Sequence, residues 1–233
     1  MAVVTYQQRR SELLTYFDRT AADAWARLTS TAPVGRIRAT VRAGRDSMRA
    51  TLLRFLPADL SGRRLLDAGC GTGAFSVAAA ERSAAVLAID LSPTLVALAR
   101  ERLPQALAAG SIDFRVGDMS DPALGEFDHV VAMDSLIHYP AADVVRVLAG
   151  LASRTRHSIV FTFAPRTPAL TVMHAVGRLF PRGDRAPAIE PVAERALRER
   201  IAGEPQLQSW RIGRTTRITS GFYKSQAMEL VKQ

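Results

Sequence analysis

Between residues 64 and 75 the chain reads Arg-Leu-Leu-Asp-Ala-Gly-Cys-Gly-Thr-Gly-Ala-Phe, an apolar run that ends on an acid and opens at once into three alternating glycines. The string describes a buried strand, a tight loop and the start of a helix. Alternate glycines let the backbone approach a bulky ligand where any side chain would clash. The helix beginning near Gly73 points unpaired amide donors at the same place. A ligand of nucleoside type is the expectation.

A dinucleotide fingerprint also combines strand, glycines and helix, so the spacing has to discriminate. In Gly69-Cys70-Gly71-Thr72-Gly73 the third glycine comes two positions after the second, where the dinucleotide pattern wants three. Asp67 puts a carboxylate where a pyrophosphate would be repelled but an amino group held. The run resembles the S-adenosylmethionine loop of class I methyltransferases. Two further strand-like segments end on acids, Asp90, suited to ribose hydroxyls, and Asp118, suited to an adenine amine. The cofactor-binding set expected from this resemblance is Arg42, Asp67, Gly69, Gly71, Gly73, Asp90, Leu91, Asp118, Met119 and Met133.

Beyond the loop the chain alternates. Strands are expected near 64–68, 85–90, 112–117, 127–133 and 157–164, with helices at 73–81, 93–108 and 141–152. Two helices, 7–29 and 36–55, precede them, and a helix over 191–201 leads to closing strands near 207–217 and 220–231. This order implies an α/β, Rossmann-like fold with a seven-stranded, mostly parallel sheet and a ligand crevice at the strands' C-terminal ends. Residues 1–60 read as an N-terminal helical lid, and 61–233 as the methyltransferase core. A small helical cap, about 166–189, is inserted after the fifth strand, with an amphipathic helix over 168–180 that carries Met173, Val176, Leu179 and Phe180.

Bulk properties narrow the setting. With 233 residues and 48% hydrophobic content the chain can build one large core. Its one cysteine, Cys70, excludes an internal disulfide and reads as a small residue in the loop. No window reaches the roughly 18 apolar residues of a membrane span, so the expected location is cytoplasmic. The net charge of +9 comes almost wholly from arginine, since only Lys224 and Lys232 are lysines. Those arginines are scattered and lack interleaved aromatics, which argues against a nucleic-acid groove.

Strand four is expected to end at Met133-Asp134 and to be followed by Ser-Leu-Ile-His-Tyr-Pro, where DNA and RNA amino-methyltransferases commonly carry an Asn or Asp, two prolines and an aromatic. Instead Ile137-His138-Tyr139-Pro140, Phe161 to Thr167, Gly177 to Pro181 and Tyr16 to Thr20 together resemble magnesium-protoporphyrin IX methyltransferases of (bacterio)chlorophyll synthesis. The resemblance implies methyl transfer from S-adenosylmethionine to one propionate of magnesium protoporphyrin, with His138 catalytic. Val41-Arg42-Ala43-Gly44 matches the family's leader pattern, in which Arg42 can bind the cofactor's carboxylate. The chain departs from the family at Thr29, where plant and cyanobacterial enzymes carry a tyrosine; Tyr16 is a candidate substitute. No protein-bound metal is expected, since magnesium arrives inside the substrate. The family context implies handover from the large porphyrin-binding subunit of magnesium chelatase. It also implies at most peripheral association with the photosynthetic membrane, through Arg178, Arg182, Arg185 and the amphipathic cap. The rival readings are a methyltransferase for a quinone precursor, a nicotinamide dehydrogenase, and a non-catalytic porphyrin carrier.

Overall fold

The computed structural model describes residues 6–16, 18, 35–105, 107, 109–166 and 189–233. Trp25 to Thr29 and the cap residues from Pro168 to Arg185 lie outside them. The described elements are α1 (Tyr6–Thr15), α2 (Arg36–Phe55), β1 (Arg64–Ala68), α3 (Ala74–Ala80), β2 (Ala85–Asp90), α4 (Pro93–Glu101) and β3 (Ser111–Val116). After them come β4 (Phe127–Ala132), α5 (Ala141–Ala152), β5 (Thr155–Phe163), α6 (Glu194–Ala202), β6 (Trp210–Ser220) and β7 (Tyr223–Lys232).

The strands form one seven-stranded sheet in the order β3-β2-β1-β4-β5-β7-β6. The first five are parallel, and β7 runs antiparallel to both β5 and β6. The parallel strands are covered on both faces. All six residues of β4 are buried, including Asp128, which accepts from Arg64 N, and His129, which bonds Ser158 Oγ. Alternation divides the core in two. Leu66, Val130, Phe161 and Leu230 pack with α5 and α6, whereas Leu65, Val131, Val160 and Ala227 pack with α2, α3 and α4.

Helix α2 belongs to that second core. Its Met48, Leu52 and Phe55 are buried with the sheet residues, each contributing on the order of 1.5 to 3 kcal/mol. The helix rests on the β6–β7 hairpin, where Ser220 Oγ donates to Thr40 O at 2.8 Å and Arg214 donates to the carbonyls of Arg54 and Phe55 at the helix end. Gly44 is small because Tyr223 lies against it: a Cβ there would stand 2.5 Å from the tyrosine ring.

Several boundaries differ from expectation. Helix α4 ends at Glu101, ahead of Pro104, which disfavours helix at the residue before it. The closing strands lie about three residues later than their spacing suggested, because Pro205–Leu207 forms a short 3-10 turn and the strands reverse at Gly221-Phe222. Gly221 supplies φ +55° for that reversal. Helix α6 starts at Glu194, since Val192 is bridged to Pro165.

Candidate active site

The C-terminal ends of β1, β2, β3 and β4 surround a cavity of about 540 Å³. Ten of the eleven residues expected from sequence line it: Arg42, Asp67, Gly69, Gly71, Asp90, Leu91, Asp118, Met119, Met133 and His138. Gly73 does not. It stands behind the loop as the residue before α3, with φ +79°, where a Cβ would meet Phe114 at 2.9 Å. Gly69 is likewise pressed on protein, since a Cβ there would lie 2.4 Å from that of Ser135. These two glycines therefore fold the loop tightly against its own neighbours rather than clearing room for a ligand. All three glycines have positive φ, the conformation in which other residues are strained.

Backbone amides fix the acids. Asp90 Oδ2 accepts from Gly71 N at 2.9 Å and Oδ1 from Ser92 N at 3.0 Å, so the carboxylate at the end of β2 is tied to the glycine loop. Asp67 is buried and accepts from Ser76 Oγ at 2.5 Å. Burial is the main cause that lifts its pKa to about 7, helped by the negative charge of Asp90 and opposed by the Ser76 hydroxyl. Burial also raises Asp90 and Cys70. Asp118 accepts from Ser120 N at 2.8 Å, and its other oxygen pairs with Arg10 at 3.1 Å.

The leader lines the cavity with two residues and is tied to neighbouring segments by others. Leu13 and Leu14 line it. Arg9 pairs with Glu190 at 3.0 Å, and Asp18 accepts from Thr94 Oγ1 at 2.6 Å, at the start of α4.

A second polar centre lies beside His138. Asp134, at φ +55°, has a side chain only 5% exposed. It accepts from Arg45 at 2.8 Å, Tyr223 Oη at 3.1 Å, and Ser225 Oγ and Thr162 Oγ1 at 3.2 Å, while its own N donates to Thr162 Oγ1 at 2.7 Å. Burial, followed by the Asp134 charge, raises the Tyr223 phenol and keeps it a donor. Arg45 and Asp134 both line the cavity. Next in sequence is Ser135, whose buried Oγ has no hydrogen-bond partner among the described residues although it also lines the cavity. A buried orphan hydroxyl suits a place that a polar ligand fills.

Fold and site define the class I methyltransferases, and residues 65–158 match a family model described as "Methyltransferase domain". Residues 132–232 match "Magnesium-protoporphyrin IX methyltransferase C-terminus". Magnesium-protoporphyrin O-methyltransferase of Rhodobacter capsulatus is 50% identical over 96% of this chain and 97% of its own length. The Synechocystis enzyme is 31% identical over 93% of this chain and 94% of its own. A crystal structure of the Synechocystis enzyme with bound S-adenosylhomocysteine superposes with a TM-score of 0.80 at 29% identity, covering 96% of this chain and all of that one. The chain belongs to the magnesium-protoporphyrin IX methyltransferase family.

Asp67 yields a pH prediction. If Asp67 holds the ammonium group of S-adenosylmethionine, the role proposed for it below, binding requires its carboxylate ionised, and burial raises that carboxyl to about 7 in the free protein. Affinity for S-adenosylmethionine should therefore rise as pH increases through that value, with proton release on binding below it. Calorimetry at pH 6 and 8, in two buffers of different ionisation heat, reads both effects. Asp67→Asn should flatten the dependence.

Proposed function

We propose that this chain transfers a methyl group from S-adenosylmethionine to one propionate carboxylate of magnesium protoporphyrin IX, giving the monomethyl ester. The observation that carries the reading is similarity over nearly the whole chain to magnesium-protoporphyrin O-methyltransferases, joined to a cavity in which His138 meets the glycine loop and its acids. That cavity suits the methyl donor: Asp90 is an anchored carboxylate, Leu91 and Met119 are apolar neighbours, and Ser135 holds a spare hydroxyl. We assign Asp90 to the ribose hydroxyls, Asp67 to the amino group, Arg42 to the carboxylate and Asp118 to the adenine side.

When bound, S-adenosylmethionine supplies a methyl group activated by a sulfonium, whose sulfur keeps the bonding electron pair. The acceptor asks little of the protein's acid–base chemistry. A propionate resembles a glutamate side chain, with a pKa of about 4.3, and is already anionic at neutral pH. No general base is needed; the residues must orient the carboxylate and exclude water. His138, buried at the cavity wall, is assigned to that orientation. Labelled methyl appearing in magnesium protoporphyrin supports the function, and prolonged incubation without transfer refutes it.

For the setting, no helix among the described residues is long and apolar enough to cross a membrane. We propose a cytoplasmic enzyme that meets the photosynthetic membrane peripherally through Arg178, Arg182 and Arg185 and takes its porphyrin from the large chelatase subunit. Kinetics unchanged by that subunit would count against handover.

A further inference from the structure

We infer that Asp134 is a positioning residue that occupies the charge of Arg45 so that it does not pair with the reacting propionate. The inference rests on the methyl-transfer reading above. Helix α2 turns Arg42, Arg45 and Arg49 toward the cavity, at the i, i+3 and i+7 spacing that shares one helix face. Arg45 and Arg49 each pair with an acid. Arg49 pairs with Asp46 at 2.8 Å on the helix surface. Arg45 reaches across to Asp134, two residues beyond the end of β4, also at 2.8 Å.

The second pair is built far more firmly. Asp46 is 52% exposed, whereas Asp134 is 5% exposed and is also held by Tyr223, Ser225 and Thr162. Asp134 stands at φ +55°, a left-handed conformation that few non-glycine residues other than aspartate and asparagine adopt. Aspartate also stands four residues before His138, in the same loop.

The chemistry supplies the reason. A sulfonium cation and a carboxylate anion combine into two neutral products, so charge fades on the way to the transition state. A guanidinium on the reacting carboxylate would stabilise the starting state more than the transition state, which slows the step. An arginine at this edge is harmless only while its charge is engaged elsewhere. The four protein contacts to Asp134 provide that engagement.

The test is steady-state kinetics of the full chain with S-adenosylmethionine and magnesium protoporphyrin, on wild type, Asp134→Asn, Arg45→Gln and the double variant. Asparagine keeps an acceptor for the neighbouring hydroxyls and tolerates positive φ, so the change is confined mainly to charge. Asp134→Asn should lower the porphyrin KM several-fold and lower kcat about tenfold, the combination expected when ground-state binding is strengthened. Adding Arg45→Gln should restore both, while the Kd for S-adenosylmethionine stays within about twofold throughout. A raised KM in Asp134→Asn, or a double variant no faster than the single one, overturns the inference and leaves Asp134 a structural residue. Should Asp134→Asn not fold, Arg45→Gln alone decides: kcat below one third of wild type shows that Arg45 is needed and overturns it, and a higher value supports it. Absence of transfer by the wild type would instead refute the function itself.

Discussion

Replacing His138 with alanine lowers the turnover number by roughly 10² or more, the scale on which lost near-attack alignment acts, and leaves affinity for S-adenosylmethionine nearly unchanged. The histidine is 8% exposed and lies in the loop between β4 and α5, on the wall of the cavity that holds Gly69, Asp90 and Met133. Its place is set from both sides. The Ile137 carbonyl accepts from Glu190 N at 2.9 Å, and Tyr139, only 3% exposed, donates from its N to Leu136 O at 3.2 Å. Because the propionate is already ionised, proton abstraction is not the role. Of the two others, a hydrogen bond that orients the carboxylate fits better than axial contact to the porphyrin magnesium, which prefers oxygen ligands. Turnover at saturating substrates reads the effect. A wild-type value would remove His138 from the catalytic assignment.

The site was legible wherever its residues follow one another along the chain. A strand with Asp67 as its last residue but one and a loop of glycines form a local pattern, and a second strand ending on Asp90 and a third ending two residues before Asp118 repeat it. Parallel topology then brings those ends to one edge without any further information. What joins distant segments could not be read. Arg45, Asp134 and Tyr223 are separated by 89 positions in each direction, and they meet only because β7 inserts beside β5 and α2 lies on the hairpin. The Arg42-Ala43-Gly44 pattern was visible, but its glycine is explained by Tyr223, at the other end of the chain. The same limit applies to Arg10, whose pairing with Asp118 joins the leader to the end of β3. Gly73 was expected among the cofactor-binding residues, but the loop turns it away from the cavity and onto Phe114.

Gly71→Val should abolish S-adenosylmethionine binding while the sheet still folds. Gly71 has φ +53°, and its N–H is the donor to Asp90 Oδ2 at 2.9 Å. A β-branched residue is a severe outlier in that region, so the loop must rearrange, and the bond that ties it to β2 is lost with it. The loop lies outside the hydrogen-bonded strands, which keep their pairing. Asp90→Ala removes the other half of the same bond. If the carboxylate binds the ribose hydroxyls, the loss is of charge-assisted hydrogen bonds, about 1.5 to 3 kcal/mol or roughly 10- to 150-fold in Kd. Loop geometry and ligand contact are separated by a 2′,3′-dideoxy analogue of the cofactor, because asparagine could not keep acceptors for both Gly71 N and Ser92 N. Were Asp90 needed only to shape the loop, Asp90→Ala would lose the same factor with the analogue as with S-adenosylmethionine. Direct contact predicts that the loss shrinks once the hydroxyls are absent. Calorimetry on wild type and the two variants, with circular dichroism to confirm the fold, decides between them, and unchanged affinity in both Gly71→Val and Asp90→Ala would place the cofactor elsewhere.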